Sequence, residues 1–210
     1  MEILPRALRE FQESSPGVRV ALHDLSTQEM LTGLREEKID AALLVEVSKP
    51  VLAGLNFEEL RRYAVCLAVH PAHALARARK VSIERMATER LVAYRRADYP
   101  EYHAWLAELF SAVKRPPRIA EEHEGSTSLI AAVEAGRGVA LVQDGFQCLA
   151  GPRLALLPLA PAPPPFVLGV AWRKGVPSAA VDHFIAAARR AKSAKRQGSS
   201  GRAERAGVSG

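Results

Sequence analysis

The sequence predicts an α/β fold, and three observations carry that prediction. Segments with apolar residues at helical spacing alternate with short apolar runs of strand length, and the joints between them are short. Runs such as Ile39–Val45 are nearly continuous in their apolar character, as parallel strands covered on both faces are. The 210 residues are 48% apolar and 25% charged, enough for one large core or two small ones and far too apolar for a disordered chain. No apolar run approaches the roughly 20 residues needed to span a bilayer.

The elements follow in order. Ile3, Leu4, Ala7, Leu8 and Phe11 recur at helical spacing, with Pro5 tolerated in the first turn, and Ser15-Pro16-Gly17 ends that helix. Val18–Leu22 then reads as a buried strand. Ser26 with Glu29 three residues on makes a capping box, and Met30, Leu31 and Leu34 form the inner stripe of the helix it opens. Ile39–Val45 is the next strand. Arg62–His70 predicts one long strand closed by Pro71, Ser82 starts a short helix, and Leu91–Tyr94 is another strand. Pro100–Val113 predicts a helix with Trp105, Leu106, Leu109, Phe110 and Val113 on one side. A short strand, Arg118–Glu121, precedes a helix opened by Ser126-Thr127-Ser128 and stopped by Gly136, a good C′ residue. Val139–Val142 is a buried strand, Leu154–Pro165 an extended crossover and Phe166–Trp172 a last strand. Ser178 caps a final helix through Phe184, Ile185 and Ala188.

The net charge of +6 is unevenly placed. From Arg189 onward there are seven basic residues and one acid, Glu204, so the whole excess sits at the end of the chain and residues 1–188 are neutral. A Ser/Gly/Arg-rich tail of this kind predicts a disordered terminus, and the body of the chain is not a polyanion binder. Charge begins at Glu2 and recurs at Arg6, Arg9 and Glu10, which does not fit a signal peptide. Cys66 and Cys148 stand far apart in apolar surroundings and read as buried thiols in a reducing compartment, so the cytoplasm is expected.

Several spaced phrases carry a family resemblance. LREFQESSPGVRVALHDLSTQEMLTGLREEKIDAALLV is similar to the opening of the effector-binding domain of LysR-type transcriptional regulators. LAVHPAHALARARKVSIERMATERLVAY resembles that family's strand, Pro/His loop and following "L-x-x-x-x-L-V". GSTSLIAAVEAGRGVALV resembles its "V-x-A-G-x-G-I-x-L-V-P" segment. The resemblance covers residues 3–190. It implies a two-lobed fold like that of type 2 periplasmic binding proteins, with mixed sheets flanked by helices and a ligand cleft between the lobes. It implies lobe I from residues 1–70 plus 152–192, lobe II from 71–151, and a basic tail from 193–210, with crossing strands near Val65–His70 and Ala155–Leu159. It also implies a small, anionic metabolite in the cleft and a homodimer or homotetramer through the effector domain. DNA would be held only by an N-terminal winged helix-turn-helix that this chain does not carry. The family has a further strand before the first helix, in the middle of the first lobe's sheet. A late start at Met1 or a truncated fragment would each account for its absence.

Candidate site residues are expected where strands end and helices begin. Ser26 and Thr27 open the second helix, where hydroxyls and free amides suit an anion; a simple N-cap would also account for Ser26. The resemblance favours Thr27, whose matching family position often faces the ligand. Ser126, Thr127 and Ser128 are the equivalent set in the second lobe, and Gly125 lets the backbone approach closely. Val45 ends the first lobe's strand, and Gln143 ends the second lobe's, where the family usually has Pro. Tyr94 and Arg95 end another strand; Arg95 could hold a carboxylate in bidentate fashion, or belong with Arg96 to a solvated charge run.

Other chemistries find less support. His70, His73 and Glu121–Glu124 offer ligand atoms, but not the paired spacing of a zinc site, and a turn and a wet face account for them, so neither metal nor cofactor is expected. There is no G-x-S-x-G, P-loop or strand-following G-x-G-x-x-G. The resemblance implies a ligand-sensing regulatory domain, and without these motifs an enzyme is not expected. A stand-alone solute-binding protein of the same fold is the alternative, and a two-lobed enzyme acting on a small carboxylate the third.

Overall fold

The computed structural model describes residues 3–114, 116–175 and 178–200, with side chains as far as 192. Helix α1 (Ile3–Ser14) buries Ile3, Ala7 and Phe11, a stripe repeating every four residues. That stripe meets helix α7 (Ala179–Ser200): Phe11 and Phe184 stack edge to face at 5.8 Å, and Arg190 binds Glu10 at 2.8 Å. Helix α2 (Thr27–Arg35) opens with the expected capping box. The Glu29 amide donates to the Ser26 hydroxyl, and the Ser26 amide donates to the Glu29 carboxylate at 2.8 Å.

These helices cover the two faces of one antiparallel sheet. Strand β1 (Ala41–Val45) and strand β2 (Leu55–Tyr63) flank strand β8 (Phe166–Arg173). Because side chains alternate across a strand, Leu168 and Val170 of β8 join Leu60 and Tyr63 under α1 and α7. Ala171 instead joins Ala42, Leu44 and Leu55 under Leu31 and Leu34 of α2. Gly169 sits where a β-carbon would lie 2.2 Å from the Phe57 ring and 2.5 Å from the Glu58 carbonyl oxygen, so only glycine lets β2 and β8 close up.

The second sheet places strand β3 (Val65–Val69), buried along its whole length, between strand β6 (Ala140–Gln143) and strand β7 (Ala155–Pro158), both antiparallel to it. A parallel pair, β4 (Arg90–Tyr94) and β5 (Arg118–His123), adjoins it through a bridge from Leu91 to Val139. Around them lie the short α3 (Ile83–Met86), α4 (Pro100–Leu109), α5 (Ser126–Glu134) and the single-turn α6 (Gln147–Ala150). Helix α5 ends in a Schellman motif. Gly136, at φ +71°, donates to Val133, and Arg137 donates to Ala132, both at 3.0 Å.

Four expectations need correction. The run Arg62–His70 is two strands in two sheets, broken at Ala64, because β2 completes the first sheet and β3 starts the second. The Ile39–Val45 run yields a strand covered on both faces, but it is antiparallel to β8, since β8 returns from the second sheet in the opposite sense. Cys148 is exposed, while Cys66 is buried as expected. Val18–Leu22 is not a buried strand: Val18, Val20 and Leu22 are 39%, 36% and 64% exposed, and no strand pairs with the segment among the described residues. The edge of β1 away from β8 is likewise unpaired there. The segment has strand composition without a ladder partner, and backbone groups with no partner cannot be buried. The basic tail falls largely outside the described side chains, although the α7 backbone is helical to Ser200.

The close approach at Gly169 generates a test. Gly169→Ala is expected to lower stability by about 1–3 kcal/mol through overpacking, read from urea unfolding. Gly17→Ala, where nothing lies within 4 Å, should change it by less than about 0.5 kcal/mol.

Candidate functional site

The chain passes from the first sheet to the second at Ala64 and returns between β7 and β8. Strand ends and helix starts from both lobes thereby border one cavity of about 690 Å³, which extends into the first lobe along α1, the Val18–Leu22 segment, the whole of β1 and α7. From the first lobe come Asp24, Thr27 at the start of α2, and Val45 and Glu46 at the end of β1. From the second come Tyr94 at the end of β4, Tyr99, Glu101, Tyr102 and Trp105 of the α4 region, Ser126 at the start of α5, and Gln143 at the end of β6. This is where ligands sit in open α/β sheets.

Of the residues expected from sequence, Thr27, Val45, Tyr94, Ser126 and Gln143 share the wall. Tyr94 and Ser126 are joined, hydroxyl to hydroxyl, at 3.1 Å. Ser26 lies outside the wall, its hydroxyl engaged by the Glu29 amide. Arg95 is also outside it, held by Asp98 at 3.2 Å and by Glu124. Thr127 and Ser128 are exposed, and the Ser128 hydroxyl donates back to the Gly125 carbonyl at 3.1 Å. Gly125 is extended and supplies no side-chain cap to α5. Gln143 brings an amide whose Oε1 is buried without a partner among the described residues.

Of the aromatic part of the wall, only Tyr94 was expected as a site residue. Tyr94 and Tyr99 lie 4.6 Å apart between ring centroids, Tyr94 and Tyr102 meet edge to face at 5.3 Å, and Trp105 leans on Phe166 of β8 at 4.7 Å. The available signal was four aromatics within twelve residues of a chain that is only 6% aromatic; of these, Tyr94 was expected at the site and Trp105 on the buried side of its helix, while Tyr99 and Tyr102 were not singled out. His103, buried in the same helix, donates from Nε2 to the Tyr94 carbonyl at 2.6 Å and so fixes the end of β4.

Two hydrogen bonds cross from α2 to the second lobe. The Gln28 amide donates to the Asp98 carbonyl at 3.2 Å, and the Thr27 hydroxyl bonds the Glu101 carboxylate. Burial pushes the Glu101 carboxyl up, against the opposing pull of its own amide and of Thr27. Burial likewise raises the Tyr94 phenol, and it pushes Tyr99 up to about 12 with help from Tyr94 and the carboxylates of Asp24, Asp98 and Glu29. The phenols are thus neutral donors near neutral pH. The Glu29 carboxyl is held below its usual range, chiefly by the Ser26 amide.

The sequence over residues 1–193 matches the LysR substrate binding domain family. The chain belongs to that family. A relative, the HTH-type transcriptional regulator BenM of Acinetobacter baylyi, is 26% identical over 161 residues, covering 75% of this chain and 52% of that protein. The chain therefore spans about half the length of this curated relative. Two solved effector-binding domains share the fold. That of BenM with its effector benzoate superposes with a TM-score of 0.75 at 23% identity, over 92% of this chain and 87% of that one. That of QuiR in complex with shikimate gives 0.79 at 18% identity, over 89% and 88%. The two-lobed periplasmic-binding-protein-like architecture expected from the resemblance is thereby found. No helix among the described residues is long and apolar enough to cross a membrane.

Tyr99 provides a pH test of the wall. Its phenol keeps its proton in the fold after the unfolded chain has lost it at about 10, so stability should fall from about pH 10 to pH 12. Tyr99→Phe should remove part of that loss, measured as the difference in urea midpoint between pH 8 and pH 11.

Proposed function

We propose that this LysR substrate-binding domain is the ligand-sensing part of a transcriptional regulator, and that a small metabolite binds between its lobes. The cavity carries this reading, because strand ends and helix starts of both lobes face it, and a ligand touching both sides favours one relative arrangement of the lobes over others. The benzoate and shikimate of the two related structures support an acid as the effector. Thr27, Val45, Tyr94, Ser126 and Gln143 are the proposed contacts. Ser26 and Arg95 support them, Ser26 by capping α2 and Arg95 by tying Asp98 and Glu124 together beside Tyr99. Thr127 and Ser128 contribute through their backbone amides at the α5 start, where an anion is favoured.

In this reading the domain is a cytoplasmic sensor and not a catalyst. It associates with further copies of itself through the effector domain, and a DNA-binding part lying outside the present sequence holds the operator. Titration calorimetry with small carboxylates, benzoate and shikimate first, tests the reading. At least one acid should bind, and Thr27→Val should weaken it by about 1–2 kcal/mol, or roughly five- to thirtyfold, through a lost buried hydrogen bond. No binding by any acid, or binding untouched by both Thr27→Val and Ser126→Ala, would overturn it.

A further inference from the structure

Glu101 is a carboxylate in the wall of a site proposed to take an acid. It stands in the first turn of α4 and reaches across the cleft to Thr27 of α2. A carboxylate has about four acceptor sites. Among the described residues its own amide and the Thr27 hydroxyl hydrogen-bond it and His103 attracts it, which leaves acceptor capacity toward the cavity.

Acids outnumber bases among the charged residues lining the cavity, Asp24, Asp40, Glu46 and Glu101 against Arg19 and Lys38. Asp24 and Glu46 also line the cavity near the ends of their segments, whereas the lining cations Arg19 and Lys38 stand at the beginnings of theirs. Lys38 precedes β1 and Glu46 follows it, so about 17 Å of extended chain separates them. Lys38 is further engaged by Glu36 at 2.6 Å. His23 lies beside Asp24, and Asp40 lines the cavity near Lys38. Arg95 and Arg96, the nearest arginines in sequence, are outside the wall, and Arg95 is tied to Asp98 and Glu124. A second acceptor, the unpartnered Gln143 Oε1, belongs to the same wall. A bare carboxylate beside Glu101 would be repelled, whereas a hydroxyl or ammonium would find an acceptor waiting. Tyr99 and Trp105 line the same cavity, and aromatic side chains suit a ring.

We propose that Glu101 is a specificity-determining residue which selects a cyclic acid bearing hydroxyl or ammonium donors over the same acid without them. The acid group lies toward the α5 start and Ser126, and the donor lies on Glu101 in place of the Thr27 hydroxyl. This rests on the reading of the cavity as the effector site, and it concerns which acids that site accepts.

The test compares benzoate with its 2-, 3- and 4-hydroxy derivatives, and cyclohexanecarboxylate with shikimate, by calorimetry on the full chain. The wild type should prefer at least one hydroxylated acid by about tenfold over its plain partner. Glu101→Leu should abolish that preference, both by loosening the hydroxylated acid and by tightening the plain one. Glu101→Gln, which keeps shape and one acceptor, should move both affinities in the same directions by less and serves if Glu101→Leu does not fold. Equal binding of plain and hydroxylated acids by the wild type would overturn the role of Glu101 while leaving the effector site standing. A preference that survives both substitutions would do the same, as would Glu101→Gln weakening the plain acids, which would show Glu101 acting as a protonated donor. Binding of none of these acids would remove the acid-effector reading itself.

Discussion

The pairing of β3 with β6 and β7 is what the rest of the molecule depends on. Strand β3 is buried from Val65 to Val69 and follows β2 with only Ala64 between them, while β7 leads back to β8, the middle strand of the first sheet. The Asp144 amide donates to the Ala64 carbonyl at 2.8 Å, pinning the end of β6 to the point where the chain changes sheets. Two crossings at one place leave each lobe its own core, yet hold the starts of α2 and α5 against a common cavity. Few degrees of freedom remain beyond the angle between lobes, and that angle is what a ligand between them can set.

Contacts that bridge the cleft among the described residues include Trp105 on Phe166 and, on the α4 side, the polar pairs Gln28 on Asp98 and Thr27 on Glu101. Contacts of this kind contribute about 1 kcal/mol each and exchange readily for ligand or water. A ligand that takes over Thr27 and Glu101 therefore alters the same bonds that hold the lobes in register. Binding and lobe geometry are coupled there through shared atoms, without a longer pathway.

Much of this was legible in the sequence because local chemistry decides it. The Ser26–Glu29 capping box, the Gly136 helix stop and the apolar runs of β3, β6 and β8 need no distant partner to be recognised. What failed depended on partners. Val18–Leu22 has strand composition, but a strand exists only with a ladder beside it, and among the described residues none pairs with this segment. The direction of β1 likewise follows from β8, more than a hundred residues away. At the site, hydroxyls at helix starts were visible, but which of Ser126, Thr127 and Ser128 faces the cavity is set by the rotation of α5. Glu101 carried no sequence signal, because an acid in a first helical turn is ordinarily explained by the helix dipole.

The most direct test of the central claim, that one ligand engages both lobes, is hydrogen exchange on the intact chain with and without a saturating acid effector. Slowed exchange at the start of α2, around Thr27 and Gln28, together with the start of α5, around Ser126, is the predicted result. Protection confined to one of these helix starts would contradict it.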